Sequence, residues 1–199
     1  MNINYKALNE ETFPCDEYTG MLFQNKLVEL TKKMGGKIAE EPLCNARQNY
    51  ASIILPCNPE DLTLQSFTIS MTVEYYSPQK INGSIAVLHE LGHLLDCQQH
   101  GGLQGMVTSN GYHNIEVEAW ENAFKLSHKI GFRYFDEMYK IAMRCLYSYF
   151  GTEGIPEPHS IDDRFNYPEN PISFSVAWER ISMAHKRAKK AVNEILYAC

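Results

Sequence analysis

Ser84-Ile85-Ala86-Val87-Leu88-His89-Glu90-Leu91-Gly92-His93-Leu94-Leu95-Asp96-Cys97-Gln98-Gln99-His100 is the stretch on which the fold turns. Asn82-Gly83 ahead of it is a turn signal, Ser84 is a capping residue and Gly101-Gly102 is a stop, so a helix is predicted from Ser84 to about His100. Val87, Leu88, Leu91, Leu94 and Leu95 share one side and predict a stripe packed on a core. His89 and His93 lie four apart and stand one turn above each other on the remaining side, which would line a cleft. Gly92 costs such a helix about 1 kcal/mol relative to alanine, a cost that close packing on a sheet would justify.

Working outward, Asp16 to Met34 reads as a helix with Met21, Leu22, Leu27, Leu30 and Met34 on its apolar face, stopped by Gly35-Gly36. Tyr50 to Leu55 is a short apolar run ended by Pro56, a strand. In Gln65 to Tyr75, Phe67, Ile69, Met71, Val73 and Tyr75 alternate with Thr68, Ser70, Thr72 and Glu74, the period of a half-buried strand. Beyond a Gly-rich loop, Asn114 caps a helix to about Ile130. Phe132 to Phe150 and Ser173 to Tyr197 are further helices, separated by a loop with four prolines. One helix, a small sheet, then helices only is an α+β layout. The 199 residues suit a single domain, with 1–131 as the sheet-bearing core and 132–199 as a helical C-terminal layer.

A formal net charge of −6 argues against an electrostatic grip on phosphate backbones, so nucleic acid is not the expected partner. No basic-then-apolar leader and no run of roughly 18 apolar residues is visible. Cys15, Cys44, Cys57, Cys97, Cys145 and Cys199 are widely spaced without a Cys-x-x-Cys pair, which reads as reduced thiols and a cytoplasmic setting. Lys186, Arg187, Lys189 and Lys190 form a basic run that reads as a solvated face. Tyr147, Tyr149 and Phe150 read as packing within the helical layer.

Two imidazoles one turn apart can hold one tetrahedral zinc, with Glu90 projecting beside them as a general base. A catalytic ion wants a third protein ligand. His100 shares the face, but at 1.5 Å rise per residue it lies about 10 Å further along. Asp96 is better placed to hydrogen-bond a ligand. On the helix that follows, Ile115, Ala119, Ala123, Leu126 and Ile130 define an inward face, which Glu116 shares and from which Glu118 and Glu121 point away. A carboxylate on an apolar face is costly unless paired or bound to metal, so Glu116 reads as the third ligand; the bland reading is a helix-start carboxylate favoured by the macrodipole. Small Ala119 and Ala123 would let the two helices approach closely. Tyr112, His113, His159 and His185 are unranked candidates for stabilising an oxyanion.

His89-Glu90-Leu91-Gly92-His93, followed by a second helix with Glu116-Val117-Glu118-Ala119-Trp120 and Ala123-Phe124, resembles the gluzincin branch of zinc metallopeptidases. Within it the second motif is similar to that of ImmA/IrrE-type peptidases, over about Gln65 to Leu126. The resemblance implies zinc on His89, His93 and Glu116, and Glu90 as general base. It also implies a small antiparallel or mixed sheet over the motif helix, whose edge strand, read as Gln65–Tyr75, pairs with an extended protein or peptide substrate. Trp120 stands where many gluzincins carry an acidic or amide residue that supports a histidine; Asn122 or Asp96 would have to fill that role. The expected function is a zinc-dependent endopeptidase. The alternative is a zincin-fold binding or regulatory protein, or a factor of a phage or mobile element, that binds zinc without significant proteolysis.

Overall fold

The computed structural model describes residues 12–41, 51–54, 67–72, 76–102, 105–106, 112–150 and 172–197. Helix α1 spans Glu17–Lys33, and the Asp16 side chain caps it by accepting the Thr19 N–H at 2.8 Å. Its buried face is Gly20, Phe23, Leu27 and Thr31, so the expected stripe is rotated: Met21 and Leu22 are 51% and 40% exposed. Two contacts choose that face. Phe23 packs on Phe132 at 5.1 Å between ring centroids, and Gly20 lies so close to the Pro78 carbonyl that a Cβ would collide with it.

Among the described residues three strands follow: β1 (Lys37–Glu41), β2 (Ala51–Ile54) and β3 (Thr68–Thr72). Their order is β1-β3-β2, with β1 parallel and β2 antiparallel to β3; Ile38 and Ile53 both lie opposite Ile69. The sheet is therefore mixed and not antiparallel throughout. β1, with its charged and irregular Lys37-Ile38-Ala39-Glu40-Glu41, carries no alternation that predicts it. Phe67 just before β3, and Ile69 and Met71 within it, are buried as expected, but Ser70 between them is buried too, so the strand is covered on more than its apolar side; Val73 and Tyr75 lie outside the described residues. The expectation that this strand is an edge is overturned, because both of its sides are paired. A central place satisfies both rows of its backbone groups and lets the most apolar strand bury its inward side chains.

Helix α2 (Asn82–Gln99) starts two residues before Ser84, and Ile81 at its cap position offers no side-chain bond. The Asn82 side chain instead accepts the Phe13 N–H at 2.9 Å and ties the N-terminal segment down. α2 is buried on nearly every side, by β2, β3, α1 and the helix that follows. That helix, α3 (Tyr112–Lys129), precedes α4 (Phe135–Phe150) and α5 (Phe174–Tyr197); α5 packs on both α3 and α4. The layout is thus α+β with a mainly helical second half among the described residues. Tyr147 is 62% exposed although its ring leans on Phe174, while Phe150 meets the same ring edge-on; the Tyr149 side chain lies outside the described residues. The basic run on α5 is exposed, as expected. Cys15, Cys97 and Cys145 are not joined in disulfides, and Cys44, Cys57 and Cys199 are outside the described residues. No described helix is long and apolar enough to cross a membrane.

Candidate metal centre

The site is built by the crossing of α2 and α3. At the crossing a Cβ on Gly92 would run into the backbone carbonyl of Ala119, so only glycine allows this approach. The helix-weakening Gly92 is therefore explained by α3 and not by the sheet. Asn122 completes the junction by donating from Nδ2 to the Gly92 carbonyl at 3.3 Å. On α2, His89, His93, Asp96 and His100 fall at helical spacing on one stripe. α3 lies across that stripe and divides it, with Glu116 meeting the upstream pair and Glu118 the downstream pair.

Upstream, His89 Nε2 and His93 Nε2 are 3.1 Å apart, and the two Glu116 carboxylate oxygens lie 3.3 Å from His89 Nε2 and 3.6 Å from His93 Nε2. Glu116 is fully buried, His89 is nearly so and His93 is mostly buried. Burial pushes the His93 pKa down to about 4, outweighing the opposing pull of Glu116. An imidazole kept neutral at physiological pH is in the form that binds metal. These three side chains could hold a metal ion. Glu90, one residue after the first histidine, is also buried.

Two further residues frame this cluster: Trp120, which in the sequence reads only as leaving the histidine-supporting role unfilled, and Cys145, which nothing in the sequence places here. Trp120 on α3 stacks on the His89 ring, with centroids 4.3 Å apart and planes at 28°. Its place one turn after Glu116 is the signal that could have found it. Cys145 of α4 is buried near Glu116 and Glu90; desolvation first, then those two charges, pushes its thiol pKa up, so it stays protonated. Only tertiary packing brings α4 to this point.

Downstream, Asp96 is fully buried and its Oδ1 lies 2.8 Å from His100 Nδ1. Burial and then the nearby Glu118 raise the Asp96 pKa, with His100 pulling the other way. Glu118 and Glu121 do not point into solvent as expected. Arg180 of α5 reaches Glu121 at 2.6 Å and Glu118 at 3.3 Å, and both carboxylates are only about a quarter exposed. Asp96, His100 and Glu118 also satisfy the spacing of a metal-binding group, but there Arg180 already supplies a positive charge. His100 is accordingly not a third ligand of the upstream cluster. Asp96 meets His100, and Asn122 meets the Gly92 carbonyl.

His185 is engaged elsewhere, with Nε2 2.8 Å from Asp136 and its ring stacked on Tyr139 between α4 and α5. His159 and the side chains of Tyr112 and His113 lie outside the described residues. The chain matches no protein-family model, no curated protein and no solved structure.

Proposed function

We propose that this protein is a zinc-dependent endopeptidase, with His89, His93 and Glu116 as ligands and Glu90 as general base. The observation that carries the reading is the convergence of three donor groups from two helices. Zinc–ligand bonds of about 2.0–2.2 Å in tetrahedral array put neighbouring donor atoms roughly 3.3–3.6 Å apart. The distances between donor atoms here are 3.1, 3.3 and 3.6 Å. A carboxylate buried as deeply as Glu116 also calls for a cation beside it.

When bound, zinc would supply Lewis-acid chemistry toward water and the scissile carbonyl. Glu90 takes a proton from the attacking water and delivers it to the leaving amine. Because β3 is paired on both sides, an extended substrate would add to the outer edge of β2, the edge strand that packs on α2. Cys15, Cys97 and Cys145, which are not joined in disulfides, agree with a cytoplasmic setting.

A second reading, a zinc-binding regulatory domain without proteolysis, draws on the burial of Glu90, which is only 6% exposed. Glu90→Gln separates the two. The endopeptidase reading expects zinc and melting temperature to be kept while cleavage of an unstructured protein substrate is lost. Equal cleavage by the two proteins removes Glu90 from the mechanism. Zinc binding without cleavage in either protein favours the regulatory reading.

A further inference from the structure

We propose that Trp120 is the positioning residue for His89, holding the imidazole by ring stacking where a hydrogen-bond acceptor would otherwise hold it. The inference rests on the metal site proposed above. A histidine that gives its Nε2 lone pair to a metal carries its proton on Nδ1, and a carboxylate or carbonyl usually accepts that proton and fixes the ring. His89 Nδ1 is buried and has no hydrogen-bond partner among the described residues. The task of orienting the ring therefore falls to another contact. Trp120 is that contact: it is 2% exposed, its ring lies 4.3 Å from the His89 ring at 28°, and its own Nε1 has no partner among the described residues.

The placement follows from α3 itself. Trp120 is one helical turn after Glu116, so the ligand and the stacking ring rise from the same face, and one helix delivers both to His89. The Gly92–Ala119 crossing beside them fixes the distance. Stacking also discriminates between states. An imidazole that has given its lone pair to a divalent ion is electron-poor, and the face of an indole is electron-rich, so the contact strengthens when the metal binds. Trp120 thus favours the metal-bound state as well as the ring orientation.

The chain has two tryptophans, and the other, Trp178, is 49% exposed on α5. In a Trp178→Phe background all indole emission comes from Trp120. Titration with Co²⁺ should quench that emission to an end point at one equivalent, and His89→Ala should abolish the saturable quenching. In parallel, zinc affinity is measured by chelator competition for Trp120→Phe, which keeps an aromatic face, and Trp120→Leu, which fills volume without one. Both shrink the side chain, so a purely structural role lowers the metal-free melting temperature of both and separates neither in zinc affinity. The positioning role expects Trp120→Leu to lose about tenfold in zinc affinity and Trp120→Phe no more than about threefold. The proposal is overturned if the two variants bind zinc equally, or if Co²⁺ quenches Trp120 identically with and without His89. Normal zinc binding in the wild type with either of those results sinks this proposal alone. No zinc binding in the wild type sinks the metal site together with it.

Discussion

Gly92→Ala tests the helix crossing on which the whole site depends. Alanine is favoured over glycine inside a helix by about 1 kcal/mol, so local propensity alone expects a more stable protein. The crossing expects the reverse. The added carbon would enter the Ala119 carbonyl, which is backbone and cannot rotate away. Restoring ordinary contact near 3.5 Å requires α2 and α3 to separate by more than about 1 Å. Overpacking of that kind costs about 1–3 kcal/mol, which leaves a net loss of up to about 2 kcal/mol after the propensity gain. For a chain of this size the melting temperature should fall by up to roughly 8 °C. The metal site should suffer more than the fold. Glu116 travels with Ala119 on α3 while both histidines stay on α2, and metal–ligand distances tolerate only about 0.2 Å. Zinc affinity should drop by at least about tenfold. Thermal unfolding by circular dichroism in chelator, alongside zinc competition at 25 °C, measures both effects. A Gly92→Ala protein as stable as the wild type, with unchanged zinc affinity, would refute the crossing as the origin of the site.

Glu116→Gln should lose zinc while Glu118→Gln keeps it, because α3 sends the two carboxylates to opposite sides of the crossing; chelator competition on the pair decides, and the reverse order would move the third ligand. Glu118→Gln should nevertheless change stability, since it alters an ion pair with Arg180. In metal-free protein, His93 should make stability pH-dependent. Its folded pKa of about 4 lies below the ordinary 6.5, so the contribution is full above 6.5 and is lost as pH falls toward 4. The loss amounts to no more than about 3 kcal/mol. Denaturant titrations across that window should show the slope in wild type and a reduced one in His93→Gln, and bound zinc should move the loss to lower pH. A flat profile in metal-free wild type would contradict the burial of His93.

What could be read along the chain was whatever a single helix or strand decides by its own periodicity. The His89/Glu90/His93 spacing, the placing of Glu116 with Ile115, Ala119 and Ala123, and the alternation through Phe67, Ile69 and Met71 are properties of 3.6- and 2-residue periods. The same periods say which residues share a face, but not what that face meets. Met21 and Leu22 fit a helical stripe and are nonetheless exposed, because Phe23 and Gly20 had better partners in Phe132 and the Pro78 carbonyl. The alternating strand looked like an edge and became the centre once the irregular β1 paired beside it. Glu118 and Glu121 looked solvated until α5 brought Arg180 to them from about sixty residues away. Trp120 at His89 and Cys145 near Glu116 belong to the same class of fact. Local periodicity is set by backbone geometry, which every residue carries with it. The partner of a face is chosen by the packing of all elements at once, and that competition exists only in the folded chain.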